Sequence, residues 1–201
     1  MISPINNSEV PEFWDARYAS GETPWVVHQI PGVLDVFLRK AEPGTVLIPG
    51  CGNNCEIIRA FDAAGFFVTA IDFSPVAVKQ AKAELGSLGE RLFLADFFRH
   101  DFGTTRFDFV YERTFLCALP PSRWNEYVAR VAKLLRPGGL LAGIFFYGDE
   151  SDPPPYPLSV ERADEIFGKD FQLRKSDPVT DSLPIFAGQE KWQEWSLKSA
   201  G

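Results

Sequence analysis

The chain has 201 residues, 45% of them hydrophobic and 23% charged, which is the composition of an ordinary globular protein of one domain. Its formal net charge is −7, and its 20 Lys and Arg residues are scattered, which argues against a nucleic-acid partner. No apolar run is long enough to span a bilayer, so no membrane partner is expected either, and a small-molecule partner fits better.

The chain has only 3 cysteines, an odd number and too few for a disulfide framework, and no secretory segment opens the chain. A reducing cytoplasm is therefore the predicted location. Cys51 and Cys55 lack a second pair of ligands, so no metal site is expected. Neither a repeat nor a linker divides the chain, and we expect a single domain over residues 1–201, as a monomer or a weak homodimer.

The first 40 residues precede any strand signal. They carry Phe13-Trp14, Tyr18 and Trp25, and then a pattern that predicts a helix over residues 33–40. Strand and helix signals alternate from there on. Short apolar runs bounded by turn residues or acids predict strands over residues 46–48, 66–71, 92–95, 107–111 and 140–147.

Helical signals lie between several of these strands. Residues 55–64 form a helical stretch that ends at Gly65, and Ser74-Pro75 is a typical helix start, with serine as the N-cap. A further helix begins near Ser122 and is expected to end at Pro137-Gly138-Gly139. Such repeated strand–helix–strand units predict a parallel sheet with helices on both sides.

The C-terminal part differs, because residues 171–176 and 191–198 are strand-like without a full helix between them. They predict an antiparallel hairpin that extends the sheet. The predicted fold class is therefore α/β, a single Rossmann-like, doubly wound sheet of seven strands that is mostly parallel, with an antiparallel strand from the C-terminal hairpin.

Ligands bind to open parallel sheets at the carboxyl ends of the strands. The first predicted strand ends in Gly50-Cys51-Gly52, where missing side chains let the backbone approach a ligand. Taken alone, this pair of glycines is equally compatible with a plain tight turn. The second strand ends in Asp72, about 20 residues on, where a carboxylate can accept both hydroxyls of a ribose.

The third and fourth strands also end in acids. Asp96 can accept from the exocyclic amine of an adenine, and Phe97 or Phe98 can lie on the ring face. The fourth strand ends in Glu112-Arg113, which are expected beside the reacting end of the ligand. Acids at three successive strand ends make a nucleoside-binding site the better interpretation.

A nicotinamide-dependent oxidoreductase is the main rival for this pattern. Its Gly-x-Gly-x-x-Gly fingerprint needs a third glycine, whereas this chain has Cys55 there. The sequence also lacks a Tyr-x-x-x-Lys pair that would relay a proton, and the closing hairpin suits a methyltransferase sheet better.

Taken together, the motifs resemble a class I methyltransferase of the thiopurine S-methyltransferase superfamily, and more narrowly its branch of small thiol and halide methyltransferases. The segments that carry this resemblance run through nearly the whole chain. They are Phe13-Trp14-Asp15-Ala16-Arg17-Tyr18, Thr23-Pro24-Trp25, Pro49-Gly50-Cys51-Gly52, Asp72-Phe73-Ser74-Pro75-Val76-Ala77, Asp96-Phe97-Phe98 and Phe115-Leu116-Cys117-Ala118-Leu119-Pro120.

The resemblance implies S-adenosylmethionine as the cofactor and residues 1–40 as a segment that covers it. It implies a cofactor site that comprises Trp14, Tyr18, Trp25, Gly50, Gly52, Asp72, Phe73, Asp96, Phe97 and Arg113. The acid that most class I methyltransferases carry two residues before the first glycine is replaced here by Ile48, and Asn54 stands at the third-glycine position. Pro49 before that first glycine is usual in this superfamily.

Two residues are candidates for catalysis. Arg113 would hold an anionic acceptor or lower the pKa of a thiol, or else it pairs with Glu112 or Asp108 or contacts the cofactor carboxylate. Tyr147 is expected to face the same crevice, where it would touch the acceptor or simply pack. The proline-rich run from Asp152 to Tyr156 predicts a stiff substrate loop.

Three functions remain open on the sequence alone. The first is methylation of a small sulfur acceptor, namely a thiol, sulfide or thiopurine, with halides as further acceptors. The second is methylation of oxygen, nitrogen or a metalloid, and the third is oxidoreduction with NAD(P).

Overall fold

The computed structural model describes residues 7–150, 152–186 and 188–198. Its seven strands are β1 (Thr45–Pro49), β2 (Phe67–Asp72), β3 (Leu92–Leu94), β4 (Phe107–Arg113), β5 (Leu135–Phe146), β6 (Phe171–Pro178) and β7 (Glu190–Leu197). The α-helices are α1 (Pro11–Ser20), α2 (Gly32–Leu38), α3 (Cys55–Ala63), α4 (Pro75–Leu85), α5 (Trp124–Leu134) and α6 (Val160–Phe167).

The strands form one sheet in the order β3-β2-β1-β4-β5-β7-β6. The pairs among β1 to β5 are parallel, and β7 pairs antiparallel with both β5 and β6. The predicted fold class and the C-terminal hairpin are thereby confirmed. The strand order reverses on either side of β1, so the carboxyl ends of β1 and β4 border the crevice where ligands bind in such sheets.

Alternate residues of the central parallel strands β1, β2, β4 and β5 enter the two hydrophobic layers. On β1, Val46 and Ile48 pack in the layer beneath α2, α3 and α4, while Leu47 packs in the layer with α5 and α6. All three side chains are nearly inaccessible to solvent, as expected for a strand that is buried on both faces. The sheet is therefore a rigid support, and its strand ends hold the site residues in fixed positions.

Ser74 starts α4 as predicted, because its Oγ accepts a hydrogen bond of 3.1 Å from the backbone N–H of Ala77. The predicted end of α5 is wrong. That helix ends at Leu134, and Pro137-Gly138-Gly139 belongs to β5, where the register shifts between Phe107 and Phe109 of β4. A bulge there accommodates a proline that cannot donate to the ladder.

Helices α1 and α6 were not expected from the sequence. Within α1 the buried residues are Phe13 and Tyr18, five positions apart, so no apolar face with helical spacing announces the helix. α6 has only eight residues and begins at Val160, directly after its N-cap Ser159, whose side chain accepts from the backbone N–H of Arg162. Both helices are short, and packing against the rest of the fold supplies most of the stability of such helices.

Candidate active site

One large cavity opens at the carboxyl ends of the parallel strands. It has a volume of about 1130 Å³ including its open mouth, and the predicted site residues that line it are Trp14, Tyr18, Trp25, Gly50, Asp72, Phe73, Asp96 and Phe97. Residues from α1, from three strand ends and from the loop after β4 therefore meet around one space. The predicted residues Gly52, Arg113 and Tyr147 are not part of its lining.

The turn after β1 holds two glycines in the left-handed region, Gly50 at φ 57° and Gly52 at φ 54°. A Cβ on Gly50 would lie 2.1 Å from the ring of Phe115, and a Cβ on Gly52 would lie 2.2 Å from Oη of Tyr18. Both positions therefore require glycine, for backbone conformation and for space. The space that a Cβ would need is filled by the side chains of Phe115 and Tyr18. The sequence did not reveal this reason for the two glycines.

Asp72 lies at the end of β2 and is buried, with its side chain at the cavity wall. Its Oδ2 accepts the N–H of Gly52 at 2.7 Å, and its Oδ1 accepts the N–H of Ser74 at 2.8 Å. A carboxylate has about four lone-pair directions, so each oxygen can still accept one further bond. The two backbone bonds hold the carboxylate at the wall of the cavity.

Asp96 and Phe97 follow β3 and form another part of the wall. Oδ1 of Asp96 accepts the N–H of Phe98 at 2.7 Å, and its Oδ2 lies 3.5 Å from Nε of the exposed Arg99. Phe97 is buried and packs edge-on against Phe115, with ring centroids 5.4 Å apart. This part of the cavity combines a fixed acceptor with flat apolar surfaces, which suits a planar base that carries an amine.

The N-terminal segment supplies three aromatic rings to the cavity. Trp25 packs edge-to-face against Trp14 and Tyr18, with centroid distances of 5.5 and 6.0 Å. Its indole N–H donates to Oη of Tyr18 at 3.3 Å, and the indole N–H of Trp14 donates to the carbonyl of Ser8 at 2.8 Å. The three rings hold one another in place, and they form a wall opposite the strand ends.

Polar contacts fasten this segment to the sheet. Oδ1 of Asp15 accepts from the hydroxyl of Ser74 at 2.5 Å and from the N–H of Val76 at 3.1 Å. The side chain of Gln80 donates to the carbonyl of Tyr18 at 3.0 Å. Asp15 thus lies at the N-terminus of α4, where the positive end of the helix dipole favours a carboxylate. The sequence contains Asp15 within a recognised motif, but its spacing gave no sign of this contact.

Replacing Asp15 by alanine is expected to lower the free energy of unfolding by about 1–2 kcal/mol, the usual cost of losing a helix cap. The expected signature is a lower urea midpoint with an unchanged slope, measured by circular dichroism. Glu12→Ala on the same helix is the control, because that side chain is exposed. Equal midpoints for the two variants would contradict the docking role of Asp15.

Arg113 does not pair with the partners expected for it. Its Nη1 lies 3.3 Å from Oε1 of Glu190, at the start of β7, and both side chains are buried. The expected partner Asp108 instead accepts from the N–H and hydroxyl of Thr45 and pairs with Arg136 at 2.6 Å. Of the alternatives left open for Arg113, an ion pair with Glu112 or Asp108 is therefore not the one observed, since β7, 77 positions away in sequence, supplies the carboxylate.

Glu112 serves the loop that follows β4. Its Oε1 accepts the N–H groups of Phe115 and Leu116, each at 2.9 Å, and its Oε2 accepts the hydroxyl of Tyr127 at 2.7 Å. Burial raises the pKa of Glu112 to about 7, although these donors act in the opposite direction. With both oxygens engaged, Glu112 fixes the position of the loop.

Tyr147 does not face the large cavity, contrary to the prediction. Its hydroxyl donates to Oε1 of Gln193 at 2.9 Å, and the ammonium of Lys191 lies 4.5 Å from the ring centroid. The ring packs against the layer formed with α5 and α6. A catalytic role for Tyr147 has no support in this geometry, because the strand ends one residue earlier and the chain turns away.

Other residues also line the cavity. Pro154 and Pro155 come from the run that was expected to form a substrate loop, whereas Arg17 and Arg123, which bring positive charge to the cavity wall, had no predicted role. Phe115 lies directly over Gly50. Phe115 could be recognised in the sequence by its place in a motif. Nothing in the sequence distinguished Arg17 and Arg123 from other charged surface residues.

Other features of the described residues bear on what the protein contacts. No group of three or more His, Cys, Asp or Glu side chains among them is arranged to hold a metal ion. Within residues 7–150, 152–186 and 188–198, no helix is both long and apolar enough to cross a membrane.

Comparison with known proteins settles the family. The family model described as Thiopurine S-methyltransferase matches residues 9–199, almost the whole chain. The chain belongs to the thiopurine S-methyltransferase family. The predicted family is thereby confirmed, and with it the predicted class of enzyme, a methyltransferase that uses S-adenosylmethionine.

Individual relatives agree with the family assignment. The chain is 29% identical over 160 residues to a probable thiol methyltransferase 2 of Arabidopsis thaliana, and the alignment covers 76% of this chain and 70% of the relative. It is 28% identical over 180 residues to a thiopurine S-methyltransferase of Vibrio campbellii, with 78% and 81% coverage.

A solved structure with a similar fold is the 1,6-didemethyltoxoflavin-N1-methyltransferase of Burkholderia thailandensis, determined with its substrate and S-adenosylhomocysteine bound. It superimposes with a TM-score of 0.74 and 21% identity, over 100% of this chain and 92% of that chain. At this identity the similarity shows the fold alone, and the fold is the predicted one.

Proposed function

We propose that this protein transfers the methyl group of S-adenosylmethionine to a sulfur atom of a small molecule. The observation that supports this most directly is the large cavity, around which Asp72, Asp96 and the aromatic N-terminal segment meet. Both relatives described above are named for transfer to a thiol or a thiopurine sulfur.

The residues of the cavity fit the cofactor part by part. The free directions of the Asp72 carboxylate suit the two ribose hydroxyls, and Asp96 with Phe97 suits the amine and the ring of adenine. Trp14 and Trp25 would attract the sulfonium where it lies over a ring face, with a cation–π attraction of roughly 0.5–2 kcal/mol each. When bound, the cofactor supplies an electrophilic methyl group whose leaving thioether needs no proton.

The protein's own contribution is mainly positioning. The rigid strand ends hold the binding groups, and the aromatic wall excludes water from the space between cofactor and acceptor. Holding two reactants in line can lower a barrier by about 7–11 kcal/mol in favourable cases. Arg113 is proposed to act at the acceptor side through its buried pair with Glu190, since it lies outside the large cavity.

The finer features of the assignment are also proposals. Residues 1–201 are proposed to form one domain in which residues 1–40 cover the cofactor. The free, buried cysteines Cys51, Cys55 and Cys117 support a reducing cytoplasm as the location. A net charge of −7 favours a small-molecule acceptor over nucleic acid, and a monomer or weak homodimer is proposed.

Calorimetric titration tests the cofactor assignment. S-adenosylhomocysteine is expected to bind the purified protein, while NAD and NADP are not. Binding of a nicotinamide cofactor without binding of S-adenosylhomocysteine would contradict the proposal and favour the oxidoreductase.

The pKa of Asp72 gives the cofactor affinity a pH dependence. Burial raises this pKa to about 6, while the N–H groups of Ser74, Gly52 and Phe73 lower it. Since the protonated carboxyl loses an acceptor for the ribose, the affinity for S-adenosylhomocysteine is expected to fall as the pH drops through about 6. Titrations at about pH 5 and about pH 7.5 measure this effect, and equal affinities would contradict it.

The raised pKa of Asp72 also affects the stability of the fold, with a pH dependence opposite to that of the cofactor affinity. The pKa of Asp72 is higher in the folded protein than its ordinary value of 3.8, so the folded state binds more protons between these values. The contribution of Asp72 to stability is therefore fully present below about pH 3.8 and is lost as the pH rises through about 6. Binding and this stability contribution should move in opposite directions over that interval.

A further inference from the structure

A second, much smaller cavity lies next to the large one. Its volume is about 300 Å³, and Thr114, Cys117 and Phe186 line both cavities. Thr114 has φ 58°, which makes it the one non-glycine residue with positive φ in the part of the chain that the structure describes. For a β-branched residue this conformation costs about 1–2 kcal/mol. Backbone strain of this kind often accompanies a functional site, and here it lies in the wall between the two cavities.

Two buried carboxylates line the small cavity, and they differ in their hydrogen bonding. Both oxygens of Glu112 are engaged by donors of the protein, as described above. Glu190 is only 3% exposed, and its Oε1 lies 3.3 Å from Nη1 of Arg113. Its Oε2 has no hydrogen-bond partner among the described residues, nor does Nε of Arg113. A buried acceptor without a partner is costly, so a ligand that brings a donor would be favoured there.

Charge limits what that ligand can be. Arg113 and Glu190 neutralise each other, so the pair offers no net positive charge to an anion. An acceptor that is already an anion, such as iodide or thiocyanate, would be placed beside a buried carboxylate and repelled by it. A neutral thiol or hydrogen sulfide has an S–H proton that can meet the unpartnered oxygen.

We propose that Glu190 accepts the S–H proton of a neutral thiol or of hydrogen sulfide, and that the Arg113–Glu190 pair selects such acceptors over anions that carry no proton. This inference rests on the proposed function, because it assigns the acceptor side of the same site. Burial raises the pKa of Glu190, although the positive charge of Arg113 acts in the opposite direction. A raised pKa of the Glu190 carboxyl lies closer to the pKa of a thiol, which is about 8.5, and a smaller difference in pKa eases proton transfer.

The step balances in atoms and charge. The S–H bond breaks and its proton moves to Glu190, and the electron pair left on sulfur forms the new S–CH₃ bond. The C–S bond of the sulfonium breaks at the same time, and its electron pair stays on the departing thioether, which becomes neutral. Glu190 then releases the proton to solvent, so one thiol and one sulfonium give two thioethers and one proton.

The test compares acceptors with and without a proton. In Glu190→Gln the amide oxygen can still accept from Arg113, but no carboxylate remains to take the proton. We expect kcat/KM for a small thiol to fall about 100-fold, the lower end for loss of a general base. With iodide and thiocyanate it should stay the same or rise, because the charge of Arg113 is no longer neutralised. Glu194→Gln, on the same strand but outside both cavities, is the matched control.

Equal losses with the thiol and with iodide would show a merely structural role for Glu190 and overturn the proposal, as would an unchanged thiol rate. A measurement on the wild type does not depend on the folding of the variant. Its kcat/KM should be greater for the thiol than for iodide or thiocyanate, and a preference for the anions would overturn the proposal. Wild-type protein that methylates no sulfur acceptor would instead contradict the proposed function.

Discussion

Replacing Asp72 by alanine is expected to weaken the binding of S-adenosylhomocysteine at least about 100-fold while the chain stays folded. Two ribose hydroxyls would each lose a hydrogen bond to a charged acceptor, worth about 1.5–3 kcal/mol apiece, and about 1.4 kcal/mol corresponds to a tenfold change in affinity. Burial already penalises the charge of this carboxylate, as its raised pKa shows. Its removal therefore costs folding less than it costs binding. Calorimetry measures the affinity, and thermal unfolding followed by circular dichroism confirms the fold.

Asp101 provides a matched control for this variant. Its Oδ1 accepts the N–H of Gly103 at 2.7 Å, two residues on, as Oδ1 of Asp72 accepts the N–H of Ser74. Asp101 is exposed and lies outside the cavity lining. Asp101→Ala should bind S-adenosylhomocysteine like the wild type. Normal binding by Asp72→Ala would mean that the ribose assignment is wrong.

Replacing Gly52 by alanine is expected to lower the affinity for S-adenosylhomocysteine at least about tenfold. The left-handed conformation costs a residue with a Cβ about 1–2 kcal/mol, and the new methyl group would lie 2.2 Å from Oη of Tyr18. Tyr18 must therefore move, and Trp25, which donates to that hydroxyl, loses its partner. The N–H of Gly52 also bonds Asp72, so the strain reaches the ribose site.

A double variant separates the clash from the strain. Tyr18→Phe removes the atom that the new methyl group would meet, so it should restore part of the affinity lost in Gly52→Ala, with a coupling energy of about 1 kcal/mol. Gly103→Ala is the control, because it has φ 59° but a Cβ there meets nothing within 4 Å. Additive effects of the two substitutions would argue against the contact between Tyr18 and the glycine turn.

The sequence was informative wherever a local pattern determines the structure. Apolar runs that end in Asp72, Asp96 and Arg113 give parallel strands whose carboxyl ends lie at one edge of the sheet, because parallel strands align in that way. The Ser74 cap and the C-terminal hairpin follow from equally local rules. For these elements, residue types and spacing were sufficient.

Features that depend on packing could not be predicted in this way. The charges of Arg113 and Glu190 are visible in the sequence, but their pairing depends on the placement of β7 relative to β4, two strands apart in the sheet. The direction of Tyr147 depends on where β5 ends, and Asp15 acquires its role only because α1 lies against α4. Side-chain partners that are distant in sequence are brought together only by the tertiary fold. The sequence therefore gave no sign that Glu190 lines the small cavity together with Glu112.

Methyl transfer itself is the most direct test of the central claim. The purified protein would be incubated with S-adenosylmethionine labelled in its methyl group and with a panel of acceptors: hydrogen sulfide, small thiols, a thiopurine, iodide, a phenol and an amine. The account predicts label in the methylated products of the sulfur acceptors, which are methanethiol from hydrogen sulfide and thioethers from the thiols and the thiopurine, and none with Asp72→Ala. Label that appears only with the phenol or the amine, or with no acceptor of the panel, would contradict it.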